Sequence, residues 1–294
     1  MAELFDMQDE IVSRLANRLR AELYGAEALR AQRVATPDSM DHVFLGLAQR
    51  SRGPTPDNLR KARLHFDRAL DLDPDNVSAL TFRGATDLTF AGTWLSDDRA
   101  ERLRSADADL SKAVKLNPDF APARSFLGYL RMLSKRVPQG IAECERALAI
   151  DRNHASAHAF MGVGQYLAGR NEETEGHVLE ALRISPRDVA APRWMTAVAL
   201  AEVSAGRDEK AVHWATRAIE LAPSSSLANL LLAAALARLD RIEEAREAAR
   251  AGLELNPGFT IARFRSSTFS DHPVYLAGRE RIYEGMRKAE LPEE

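Results

Sequence analysis

Four stretches of this 294-residue chain gather side chains that could do chemistry. HASAH, His154 to His158, sets two imidazoles four residues apart, a helical spacing that can chelate zinc. It lacks the glutamate of HExxH, and no third ligand stands close in sequence, so packing is the expected role. GVGQYLAG, Gly162 to Gly169, contains a GxG, but a phosphate cradle needs a preceding strand and a helix N-terminus, whereas Gly162 falls inside a helical pattern. SSTFSDH brings Ser, Asp and His together near residues 267–272, although a catalytic triad is defined by spatial roles and not by crowding. Cys144, the only cysteine, sits among apolar helix positions and reads as a small core side chain, because a reactive thiol needs an activating base and exposure. No catalytic, metal or cofactor site is expected.

The elements that hold these residues are set by a repeat. LDPDN, LNPDF, IDRNH, ISPRD, LAPSS and LNPGF each close an alanine-rich helical stretch, with Pro74, Pro118, Arg152, Pro186, Pro223 and Pro257 as their third residues. The gaps between them are 44, 34, 34, 37 and 34 residues. Twelve residues before each of these markers stand Ala62, Ala106, Gly140, Thr174, Ala211 and Ala245; five residues before stand Ala69, Ala113, Ala147, Ala181, Ala218 and Gly252. The first helix of each unit carries Gly46, Gly84, Gly128, Gly162, Ala199 or Ala233. Small residues at fixed positions let two antiparallel helices approach, and the proline stops the second helix before the next unit begins.

In period, proline and small positions the chain resembles the tetratricopeptide repeat family. The resemblance implies an all-α, right-handed α-solenoid of six helix-turn-helix units at about 41–75, 76–119, 120–153, 154–187, 188–224 and 225–259. The 37-residue gap is read as a first helix lengthened by about a turn at VALAEVSAG, and the 44-residue gap as about ten extra residues around Thr93 to Arg102. A shorter insertion is expected near Arg52 to Asp57. Residues 260–294 read as a loop and an amphipathic helix, with Tyr275, Leu276, Ile282, Tyr283 and Met286 on one face, that caps the open end. Residues 1–37 form an N-terminal helix and linker. There Leu4, Phe5, Met7, Ile11, Val12, Leu15, Leu19 and Leu23 make one apolar stripe, whose expected role is to cap the first repeat.

In such arrays the first helices line a concave groove that binds peptides or helices. The groove residues expected here are Ser125, Tyr129, Met132 and Leu133, then Ala159, Val163, Tyr166 and Leu167, then Arg193, Thr196 and Leu200, and finally Leu227, Leu230 and Arg238. Chaperone-binding relatives clamp a carboxylate with Lys and Asn, but the corresponding Val43 and Leu47 are apolar, which favours an amphipathic helix, an apolar peptide or another part of the same polypeptide. The open ends of an array also allow a homodimer.

The two ends carry a second resemblance. ELFDMQDEIVSRLANRLRAEL, the linker TPDSMD and the repeats look like the junction in bacterial class III adenylate/guanylate cyclases, where a TolB-like region ends in such a helix. SSTFSDHPVYLAGRERIYEGMRKAELPEE is similar to the end of those proteins. Related tails follow winged-helix regulators. The strand-helix pattern of a cyclase domain is lacking, so no catalytic residue carries over. The resemblance implies a noncatalytic interaction tail of a signalling protein; the alternative is a chain that takes part in cyclic-nucleotide synthesis.

Forty basic against 43 acidic residues give no field that would draw a polyanion, which excludes nucleic acid as an expected partner. The longest apolar run, Leu230 to Ala237, is eight residues, well short of the roughly 20 that span a bilayer. An acidic start without a signal-peptide pattern and a single cysteine point to the cytoplasm.

Overall fold

The computed structural model describes Leu19, residues 22–92 and residues 98–294. Among these every regular element is helical. Helix α1, described over residues 22–31, is followed by α2 (Ser39–Ser51), α3 (Pro56–Leu72), α4 (Val77–Gly92), α5 (Arg99–Leu116), α6 (Ala121–Leu133) and α7 (Val137–Ile150). Then come α8 (Ala155–Leu167), α9 (Asn171–Ile184), α10 (Ala191–Ser204), α11 (Asp208–Leu221), α12 (Ser226–Arg238), α13 (Ile242–Leu255), α14 (Ile261–Ser266) and α15 (Pro273–Lys288). Contacts divide them into two compact units. One comprises Met1–Ser134, Gln139–Ala157 and Arg183–Val189, the other Lys135–Pro138, His158–Leu182 and Ala190–Glu294.

In the first unit α2 packs on α3 and α4 on α5, and successive pairs are joined through α3 with α4 and α5 with α6. The small positions explain the closeness. A Cβ on Gly46 would fall 2.5 Å from the ring of Phe66, and one on Gly128 would lie 2.7 Å from both Cys144 Sγ and the Gly140 carbonyl oxygen. Ala62, Ala69, Ala106, Ala113 and Ala147 are fully buried. Helix starts follow local chemistry. Asp38 and Asp41 exchange side-chain and backbone bonds (2.8 and 3.1 Å) as a capping box on α2, and Thr55 accepts from Asn58 N ahead of Pro56 on α3. A buried ionic cluster ties three helices together. Asp87 on α4 accepts from Arg63 Nε (3.0 Å), Arg102 Nη1 (2.9 Å) and Ser105 Oγ (2.8 Å), while Arg83 grips Asp109 with two bonds of 2.7 Å.

The second unit repeats the scheme with α10 on α11 and α12 on α13, linked by α11 with α12. Ala181, Ala211, Ala218, Ala233 and Ala245 are fully buried, and Thr174, the exception among the small residues, is equally buried.

Two expectations about insertions change. The 37-residue gap does not add a turn to α10, which has 14 residues against 13 in α8. Most of the extra chain lies in residues 185–190, and Pro192 stands in the first turn of α10, where its missing N–H costs no helical hydrogen bond. The 44-residue gap is taken up partly by longer helices, 16 residues in α4 and 18 in α5. At the N-terminal end, α1 buries Ala28 and Ala31 and meets α2 through the Tyr24–Phe44 ring pair and an Arg30–Asp41 ion pair. Leu19 and Leu23, the described members of the predicted stripe, are each 54% exposed, and the rest of the stripe lies outside the described residues.

Candidate functional site

The residues expected to line a groove stand on α6, α8, α10 and α12. On α6, Ser125, Met132 and Leu133 are buried and Tyr129 is half-exposed. On α8, Ala159, Tyr166 and Leu167 are buried and Val163 is half-exposed. On α10, Thr196 is buried with its hydroxyl donating to Pro192 O (2.8 Å), leaving Arg193 and Leu200 partly open. On α12, Leu230 is buried against Gly252, Leu227 is partly open, and Arg238 pairs with Asp208 at 3.1 Å. The second unit thus holds Tyr166, Arg193, Leu200, Leu227 and Arg238, and two of these five side chains, Tyr166 and Arg238, are already engaged.

What engages them is α15. It runs against α10 and α12, and its Tyr275, Gly278, Arg279, Ile282, Tyr283, Gly285 and Met286 are buried. The Tyr275 ring meets Tyr166 edge-on at 5.2 Å, and Ser204 Oγ donates to the Tyr166 hydroxyl at 3.4 Å. Burial pushes the Tyr166 phenol above its usual range. Where Gly278 passes Ser204, a Cβ would lie 2.6 Å from the serine Cβ; where Gly285 passes Ala234, it would lie 2.6 Å from a carbonyl oxygen. Arg279, only 4% exposed, donates to Phe264 O (2.7 Å) and to the Tyr283 hydroxyl (2.8 Å), with its guanidinium 3.8 Å from the Phe264 ring centre.

The segment also keeps register with four successive helix-to-helix turns. Lys135 Nζ binds Asp271 at 2.7 Å, Gly169 packs against His272, Gly206 against Arg281, and Asp240 binds Lys288. All four turn residues have positive φ, 60° at Lys135 and Asp240 and about 75° at the glycines. Beyond the helix the chain returns to α14, where Ile261 N donates to Pro292 O and Ala262 N to Glu293 O. Of the apolar face predicted here, Leu276 turns outward, 41% exposed, while the other four residues are buried. The signal passed over in the sequence is Gly278 and Gly285, seven residues apart on that face.

The chemical candidates are absorbed by packing. The Ser125 hydroxyl donates to Pro122 O (2.9 Å) and lies 2.9 Å from His154 Nε2, so both side chains have partners within the helix packing. The partner of His158 is His177, whose pKa is lowered first by burial and then by His158. The Cys144 thiol is buried and pushed far up by desolvation, then by Glu143 and Glu145. Asp271 is spent on Lys135, and Ser270 Oγ accepts from His272 N, so no triad forms in SSTFSDH. Gly162 sits inside α8 against Thr174 O. Among the described residues no three His, Cys, Asp or Glu side chains gather as a metal would require, and no helix is long and apolar enough to cross a membrane.

The family model of the tetratricopeptide repeat matches residues 227–259, the span of α12 and α13. The chain is similar to TTC0263, a thermophilic TPR protein of Thermus thermophilus, at 20% identity over 67% of this chain and 98% of that one, with a TM-score of 0.53. A tetratricopeptide repeat protein from Parabacteroides merdae aligns over 96% of this chain and 98% of its own at 15% identity and a TM-score of 0.54. The human IFIT1 dimer with m7Gppp-AAAA reaches a TM-score of 0.64 at 16% identity, over 87% of this chain and 60% of that one. No curated protein matches the chain by sequence. Repeat, packing and neighbours agree that the fold is that of the all-α tetratricopeptide-repeat solenoids.

Proposed function

We propose that the chain is a noncatalytic scaffold that binds a protein or peptide partner along the inner face of its first helices. The observation that carries this reading is the partition of side chains: groups that could do chemistry are held in structural bonds, while Val163, Arg193, Leu200 and Leu227 stay partly open on the first helices of the second unit. An apolar face with one cation suits a helix or an apolar peptide better than a carboxylate clamp. By its resemblance at both ends the scaffold is the interaction tail of a cytoplasmic bacterial signalling protein of the class III cyclase type. A single buried cysteine fits that reducing compartment.

Photocrosslinking tests the face. A crosslinker at Tyr129, Val163 or Leu227 is expected to capture the partner, and one at the outward Arg68 or Arg146 is not. Equal capture from both sets, or binding undisturbed by Tyr129→Ala with Leu227→Asp, removes the proposal. Incubation with ATP or GTP and a divalent metal tests the other side of it, since turnover by this polypeptide would show an enzyme.

A further inference from the structure

The way α15 is seated says what this surface accepts. We propose that the face formed by Tyr166, Ser204, Gly206, Ala234 and Arg238 is a helix receptor occupied in cis. Its external ligand is then an amphipathic helix with two glycines seven residues apart on the apolar side, flanked by a tyrosine and by Ile-Tyr and Met anchors. The inference rests on the scaffold reading above and names the ligand.

Three features make α15 a resident ligand more than another layer of the array. Its close passage over Ser204 and Ala234 needs hydrogen in place of a side chain at Gly278 and Gly285, a demand that a competing helix must also meet. The same glycines, within 16 residues, make it a poor helix in isolation, so it takes its helical form from the seat. Its rim contacts, Lys135–Asp271, Asp240–Lys288 and Arg238–Glu284, are ion pairs with at least one exposed partner, which exchange readily with water and with other charges. Residues 267–272 join it to α14, so it can leave its seat without parting any of the helix pairs from α2 to α13.

The test uses the full chain and a fluorescent peptide of residues 273–294. In wild type the cis helix competes, so the peptide binds weakly. In Gly285→Leu, where the side chain meets the Ala234 carbonyl, the seat empties, and the peptide is expected to bind at least about tenfold more tightly, as removing a self-competitor requires. A peptide with leucine at both glycines is expected not to bind. Cleavage within residues 267–272 rises in the variant while the helical signal of the repeats persists. Retained protection of α15, no gain in peptide affinity, or collapse of the whole array each overturns the inference.

A second variant, Lys135→Glu with Lys288→Glu, leaves the buried face intact and must shift affinity and cleavage the same way; unchanged values sink the idea independently of folding. A concentration-dependent dimer with α15 of one copy in the seat of another supports the receptor, with a second copy as the partner. If the peptide fails on Gly285→Leu while a partner still crosslinks through Tyr129 and Leu227, the receptor falls and the scaffold stands. If neither binds, both fall.

Discussion

Gly285 of α15 passes Ala234 of α12 with room for a hydrogen and no more: a Cβ would lie 2.6 Å from the Ala234 carbonyl oxygen and 3.1 Å from its Cβ. Gly176 on α9 is the opposite case, with nothing within 4 Å of its Cβ position. The two sites let packing and helix propensity be weighed against each other. Alanine is favoured over glycine within a helix by about 1 kcal/mol, so Gly176→Ala is expected to stabilise by up to that amount. At Gly285 the neighbour is backbone and cannot step aside, so Gly285→Ala is expected to destabilise by about 1–3 kcal/mol despite the better propensity. Urea denaturation of the two variants checks both signs, and a stabilising Gly285→Ala would contradict the close passage.

Asp87 has no exposed surface and holds two guanidinium groups and a hydroxyl. Its removal leaves Arg63 with Asp67 and Arg102 with Asp98 but takes away their shared buried acceptor, so Asp87→Ala is expected to cost about 1–3 kcal/mol, and Asp87→Asn, which still accepts, less. Equal costs for the two in chemical denaturation would mean that charge, and not bonding, carries the cluster.

His42 and His65 face each other with Nδ1 atoms 3.4 Å apart, and the pKa of His65 is lowered, first by burial and then by His42. An unfolded histidine titrates near about 6.5, so just below that pH the unfolded chain binds protons that the folded His65 refuses. Stability is therefore expected to fall as pH drops through 6.5 toward the folded value. The half-buried His177 beside His158 adds a loss of the same sign. Thermal melts at stepped pH check this; His65→Asn with His177→Asn should flatten the acid limb, and an unchanged slope would exclude both pairs.

Cys144 is fully buried against Gly128 with its thiol pushed up. Native protein is expected to resist a thiol reagent at about pH 8, where an ordinary exposed thiol begins to ionise, and labelling should follow the urea unfolding curve measured by helicity. Fast labelling of the folded chain would place the thiol at the surface.

Repeat period, helix-stopping prolines and small residues were enough to give an all-α array of helices, because each of these signals acts within about forty residues and is made again in every unit. Ala62, Ala106, Gly140, Ala211 and Ala245 could be assigned to the helix interface before any coordinate, since only small side chains suit a position where two backbones meet. The six-residue connection before α10 was less legible, because residues 185–190 carry no periodic signal.

The seat of α15 was not written in any local pattern. Tyr275, Ile282, Tyr283 and Met286 announce a helix with a buried face, but what that face meets depends on turns around residues 135, 169, 206 and 240 lying side by side. The same is true of Asp87 with Arg63 and Arg102, and of His42 with His65: each residue looks ordinary alone, and each partnership joins residues 15 to 24 positions apart on different helices. Sequence alone determined the all-α class and the repeating small positions of its helices, because those follow from periodicity. Tertiary structure decided which helix fills which face, because that is a matter of shape meeting shape at distances no period encodes.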